Sequence, residues 1–238
     1  HNIPDDLLIV RLSSRAKRLL FKSSFRKGVE IIIPHSADPS WVADMTQKRI
    51  QWIRQAQYHV REGRSQINPS QINLKALGET WSVNIEKIDG VGHGLSVIGK
   101  HSLLVGKDPK DLFHVARELQ GWFHQKARNS LIPWLASLAD DRGLRFNKVY
   151  VKNQTSLWGS CSRKRNINLN RNLLFIPRHL VEYVIHHELT HLEHLNHSNT
   201  FWKAFAKALP NCWELRRELG SLNPDNIPLW ASPGLDST

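Results

Sequence analysis

With 238 residues, 40% of them apolar, the chain is long enough to bury a hydrophobic core as one large or two small domains. No apolar run approaches the roughly 20 residues needed to cross a bilayer, which argues against a helical membrane protein. Thirty-three Lys and Arg against 21 Asp and Glu give a net charge of +12, so non-specific attraction to nucleic acid is expected, although no sequence-reading DNA motif is present.

The two cysteines, Cys161 and Cys212, are too few for a disulfide scaffold, and no signal-peptide pattern opens the chain. A cytoplasmic location is the expectation. Leu7–Val10, Leu19–Phe21 and Val29–Ile33 read as short strands, the last a β-branched run ended by Pro34. Asp38 before Pro39 is a cap-plus-proline start, predicting a helix to about Glu62 that turns Trp41, Met45, Trp52 and Ile53 to the core. Its Lys48, Arg49, Arg61 and Arg64 read as a solvated face, with a phosphate-facing surface as the alternative. Residues 65–71, with Pro69, read as a linker. Ile72–Ala76, Thr80–Ile88 and Leu95–Val105 follow as strands, with turns at Gly78, Asp89-Gly90 and Gly92. Residues 1–106 are thus expected to form a β-rich domain with one long helix.

A second domain, 107–238, opens on Asp108-Pro109 and a long helix with an apolar face of Leu112, Val115, Leu119, Trp122 and Phe123. Pro133 is predicted to kink or break it. Leu144–Asn153 and Asn166–Asn170 read as strands, and a helix follows Pro177. Asn211 with Glu214 three residues on has the form of a capping box for a last helix that closes at Gly220.

The helix after Pro177 carries His187-Glu188-Leu189-Thr190-His191 inside an apolar run. Residues four apart share a helix face, so His187 and His191 can offer two imidazole nitrogens to one ion. Glu188, turned about 100° around the helix, lies beside such an ion and is the candidate general base. Incidental His and Glu on a surface helix would be the bland explanation, but burying three ionisable groups is costly unless they are used. A third ligand is needed. His194 stands about 10 Å along the helix axis from His187, too far to share the ion. His197 comes into reach only if the helix ends near Leu195, for which Asn196 in a left-handed cap is suited, with Ser198 or Asn199 starting a new helix. Glu214 and Glu218, on a later helix, are the gluzincin-like alternative, although Glu214 is also explained by the cap. The metzincin pattern is excluded, since His194 replaces its Gly and the sole methionine, Met45, lies far upstream.

Trp158-Gly159-Ser160-Cys161-Ser162, Ile167-Asn168-Leu169-Asn170, the His-Glu motif, Asn196-His197-Ser198 and Phe201-Trp202 together resemble the YgjP-like metallopeptidase-domain family, related to the SprT-like and WLM zinc proteases. The resemblance covers most of the chain. It implies an α+β protein in which a minimal zincin-like catalytic domain follows the β-rich unit, with Zn2+ held by His187, His191 and His197. It implies attack on a peptide or protein substrate by water that the ion activates, with Glu188 as base. Tyr183, Arg163, Arg165, Arg178, Arg216 and Arg217 are candidates for a second electrophile. Cys161 reads as a buried thiol or a metal contact, Trp158 and Trp202 as core residues. The strand at 167–169 reads as an edge that could pair with substrate or as an interior strand. Two other functions stay open: a nucleotide phosphohydrolase using the basic surface, and a nucleic-acid-binding module with a structural metal.

Overall fold

The computed structural model describes residues 7–87, 94–108, 111, 113–222, 227–232 and 235; the expected turn at Asp89-Gly90 and Gly92, and Pro109 and Leu112, lie outside these. Its class is α+β, with N-terminal strands and six α-helices among the described residues. None of those helices is long and apolar enough to cross a membrane. His1–Asn68 with Gly234–Thr238 form one compact unit and Pro69–Pro233 another. The boundary expected at Gly106–Lys107 therefore falls inside the second unit, because the strands before it pack on the long helix after it.

In the first unit, β1 (Leu8–Ser13), β2 (Leu20–Ser24) and β3 (Gly28–Pro34) form a sheet in the order β1-β3-β2, β1 parallel and β2 antiparallel to β3. The expected single helix divides into α1 (Pro39–Lys48), capped by the Asp38 carboxylate on the Trp41 N–H, and α2 (Ile50–Ser65). They part at Arg49, whose N–H bonds back to the Thr46 and Gln47 carbonyls. Only α2 buries residues, Ile53, Gln57, Val60 and Gly63, and Ile53 packs with Val29 and Ile31. Trp41 is exposed and Met45 half-buried, so neither joins the core. Arg64 does not face solvent phosphate. It donates to the Phe25 and Arg26 carbonyls at 2.8 Å, tying α2 to the turn before β3.

The second unit begins with β4 (Gln71–Leu74), β5 (Glu79–Lys87), β6 (Leu95–Gly99) and β7 (Ser102–Lys107), ordered β4-β5-β7-β6. Helix α3 (His114–Asp141) runs unbroken through Pro133. Proline removes one hydrogen bond there, but Ala127, Leu131, Leu135 and Ala139, all fully buried at four-residue spacing, anchor both halves on one side. Then come β8 (Lys148–Lys152), β9 (Gly159–Cys161) and β10 (Asn166–Asn170), ordered β8-β10-β9, with β8 parallel and β9 antiparallel to β10. The strand at 167–169 is thus central, with Ile167 and Leu169 fully buried, and β9 is the edge. Asn170 clamps the preceding loop by donating to the Gln154 and Leu157 carbonyls, both at 2.9 Å. The 3-10 turn Arg171–Phe175 follows, all buried. Arg171 donates to Ala231 O at 3.0 Å and Gln120 O at 3.3 Å and lies over Phe123, which stacks on Phe175. It is a structural arginine at the centre of this unit. Helices α4 (Arg178–Thr190), α5 (Asn199–Ala208) and α6 (Cys212–Gly220) complete the element order that bears the candidate site. The Asn211 side chain makes no cap hydrogen bond, so the expected capping box is not formed.

Gly28 adopts φ +84°, and a Cβ there would meet the Leu7 carbonyl oxygen at 2.4 Å. Strain and backbone clash act together. Gly28→Ala is expected to destabilise the protein by about 2 kcal/mol or more, read as a lower denaturant midpoint.

Candidate metal centre

Helix α4 buries Leu180, Val181, Val184, Ile185 and Leu189. It stops earlier than expected, at Thr190, and other parts of the chain bond polar groups around its end. Arg142 donates to His186 O and Thr190 Oγ1, both at 3.2 Å, and Arg165 donates to Leu192 O at 3.2 Å. Tight turns follow, from Leu192 N to Leu189 O and from Glu193 N and His194 N to Thr190 O. Asn196 is not left-handed: among the described non-glycine residues, Arg165 is the one with positive φ, 58°. Ser198 then caps α5 by accepting from the Phe201 N–H at 3.4 Å.

This reversal brings three imidazoles together. His187 Nε2 lies 3.2 Å from His191 Nε2 and 2.9 Å from His197 Nε2, and one ligand atom from each residue falls within 4.8 Å of the others. The Phe201 ring packs against all three, with centroids 4.6–5.0 Å away. His191 Nδ1–H donates to the His194 carbonyl at 3.0 Å, which fixes the tautomer and turns the Nε2 lone pair toward the cluster. His194 thus serves through its backbone. Burial first, then the neighbouring His191 and His197, push His187 down to about 3, and burial also lowers His191. Neutral nitrogens turned on one another at these distances repel unless a cation or proton joins them, so the donor set fits a nitrogen-liganded divalent ion.

Glu188 is 5% exposed, and its Oε2 is buried without a hydrogen-bond partner. Burial pushes its carboxyl up to about 8. The edge strand β9 passes directly over it, where a Cβ on Gly159 would stand 2.8 Å from Glu188 Cγ and Oε1. A side chain at 159 would displace the carboxylate, so the Gly159 backbone can approach this closely only without one. Trp158, Gly159, Tyr183, Val184, His187, Glu188 and Leu219 line an open recess of ≈ 200 Å³.

The other candidates are sorted by contact. Glu214 is exposed and Glu218 bonds His179 at 2.7 Å; neither is in the cluster. Cys161 is also outside it, its thiol held up at about 11 by burial and by the nearby Glu188. Trp158 and Trp202 are half-buried, at the recess and beside His197 respectively, and are not plain core residues. Tyr183 lines the recess. Arg165 is spent on carbonyls, and Arg178 pairs with Glu182 and stacks on Trp134. Arg163 and Arg217 do not line the recess. Arg142 was not foreseen, since its partners lie 44 and 48 residues away and no local pattern marks them.

A His-Glu-x-x-His helix backed by a small sheet, with an edge strand over the glutamate, defines a metallopeptidase-type domain. The family model described as YgjP-like, metallopeptidase domain, matches residues 17–222, and the chain belongs to that family. Among solved structures, the chain is similar to the metallopeptidase zymogen of Pyrococcus abyssi abylysin, at 22% identity over 37% of this chain and 90% of that one, with a TM-score of 0.34. No curated protein matches.

His187 and Glu188 make opposite contributions to the stability of the metal-free protein. An unfolded imidazole takes its proton near 6.5 and folded His187 only near 3, so stability falls as pH drops from 6.5 toward 3. An unfolded glutamate loses its proton near 4.5 and folded Glu188 only near 8, so stability falls as pH rises from 4.5 toward 8. These slopes cancel between 4.5 and 6.5. Burial also lowers His124, His186 and His191, which adds to the loss on the acid side, so chelator-treated protein is expected to melt highest toward the upper end of that interval, and Glu188→Gln to lose the alkaline decline, in thermal melts across pH.

Proposed function

We propose that the protein is a zinc-dependent metallopeptidase in which His187, His191 and His197 hold the ion and Glu188 is the general base. The observation that carries this reading is the convergence of three imidazole Nε2 atoms beside a buried carboxylate at one recess. When bound, zinc would supply Lewis acidity, acidifying water and polarising a substrate carbonyl.

Glu188 takes the proton from the attacking water and returns it to the leaving amine. Its burial suits this task, because a carboxylate whose proton affinity is raised by burial is a stronger base than a solvated one. His194 O keeps His191 in the ligating tautomer. Among the described residues nothing hydrogen-bonds the Tyr183 hydroxyl, and Tyr183 lines the recess. It is the side chain best placed to donate to the developing oxyanion. Substrate binding is assigned to β9. Asn170 N bonds Trp158 O and Ser162 N bonds Asn166 O, so the same side of β9 pairs with β10 at Ser160. The backbone groups of Gly159 and Cys161 then point away from the sheet, where an extended peptide can add as a further strand. No Lys or Arg lines the recess, which favours a peptide over a nucleotide polyphosphate. The net charge of +12 would hold the enzyme near polyanions, making nucleic-acid-associated proteins in the cytoplasm the proposed targets.

Glu188→Gln is expected to keep one zinc per chain by elemental analysis while peptide turnover falls at least ~100-fold. Full turnover with full occupancy would assign the proton transfer to another group. His197→Ala is expected to lose most of the zinc affinity, whereas Glu214→Ala and Glu218→Ala keep it. Metal titration reads the difference, and the reverse pattern would make the site gluzincin-like.

A further inference from the structure

A ladder of rings leads from the histidine cluster toward α6. His197 stacks on Trp202 at 5.8 Å and 28°, and Trp202 stacks on Trp213 at 4.6 Å and 28°. The Arg216 guanidinium lies over both indoles, 4.8 Å from the Trp202 ring and 5.8 Å from the Trp213 ring. Arg216 and Leu219 are three apart on α6 and so are neighbours on its surface. Leu219 lines the recess, so Arg216 stands one turn of α6 away from it.

The stack does not serve the core, since Trp213 is 48% exposed and Arg216 is exposed. Nor is the guanidinium satisfied by the protein. Among the described residues no carboxylate pairs with Arg216, and Glu218 on the same helix is taken by His179. A guanidinium held over two indoles has already lost much of its freedom, and its N–H groups remain available to grip a planar anion.

We infer that Arg216, held on Trp202 and Trp213, is a subsite for a substrate carboxylate, so that the protein selects peptides bearing an acidic group close to the scissile bond. The inference rests on the peptidase reading above and deepens it. A bidentate guanidinium–carboxylate pair has the matching shape, and one unpaired arginine suits one carboxylate where a polyphosphate demands several cations. The carboxylate can come from an Asp or Glu side chain or from a chain terminus.

Binding separates these without any turnover. Zinc-loaded Glu188→Gln protein, with Arg216 intact or replaced in Arg216→Gln and Arg216→Lys, is titrated calorimetrically with N-acetylated peptides of one sequence. One set carries Glu at successive positions with an amidated C-terminus, one carries Gln there, and one is the Gln peptide with a free terminus. At its best position Glu is expected to bind about tenfold tighter than Gln. Arg216→Gln should bring that ratio near one, and Arg216→Lys should retain part of it. A gain confined to the free-terminus peptide supports the subsite and identifies the terminal carboxylate as its ligand. Equal binding of all three sets, no binding, or a ratio unaltered in Arg216→Gln overturns the inference. A misfolded Arg216→Gln is recognised by its zinc content and melting temperature, and Arg216→Lys then decides. If the wild-type protein leaves every peptide uncut while the ratio holds, the peptidase reading fails and the subsite stands.

Discussion

Nothing in their own attraction keeps three uncharged imidazoles with nitrogens 2.9 and 3.2 Å apart. They are held there by the polypeptide around them, and much of the second unit can be understood as that support. Arg142, before β8, and Arg165, in the turn between β9 and β10, bond polar groups around the end of α4. The helix stops at Thr190, and the chain doubles back to deliver His197 just before the Ser198 cap. Phe201, on the first turn of α5, closes the apolar side of the cluster. Leaving a buried lone pair without a partner is costly; a bound ion would offset that cost, so support and metal affinity are linked properties.

Glu188 illustrates the same economy from the other direction. A carboxyl in water is a weak base, and this one is strengthened by the apolar body of α4 beneath it and the bare Gly159 backbone above it. The glycine serves two ends. It admits the carboxylate, and it lets the edge strand pass close over Glu188. A bulkier residue would sacrifice both.

The β8-β10-β9 sheet and α4 share their support with the long helix. Phe123 on α3 stacks on Phe175 and meets Trp230 edge-on, and Arg171 bridges the carbonyls of Gln120 and Ala231 beside them. Burying a guanidinium is offset there because those backbone oxygens accept from its two terminal nitrogens, although Nε stays buried without a partner. The family match over residues 17–222 spans both compact units, so the first unit belongs to the family pattern along with the second.

Local chemistry was legible in the sequence wherever neighbours along the chain decide it. The Asp38 cap, the β-branched run before Pro34, the apolar rows of the helices and the i, i+4 pairing of His187 with His191 all act within a turn or two. The motif likewise announced Glu188. What the sequence alone could not decide depends on contacts far apart in the chain. Helix α3 continues through Pro133 because packing at Ala127, Leu131, Leu135 and Ala139 outweighs one lost hydrogen bond. The strand at 167–169 is interior because Gly159–Cys161 pairs along its other side. His197 reaches the cluster without a left-handed Asn196, because α4 ends first, at Thr190, where Arg142 and Arg165, distant in sequence, bond the chain. Composition and spacing name the groups that can do chemistry; only tertiary packing sets which of them meet, since the energies that choose among turns are small beside those of burial.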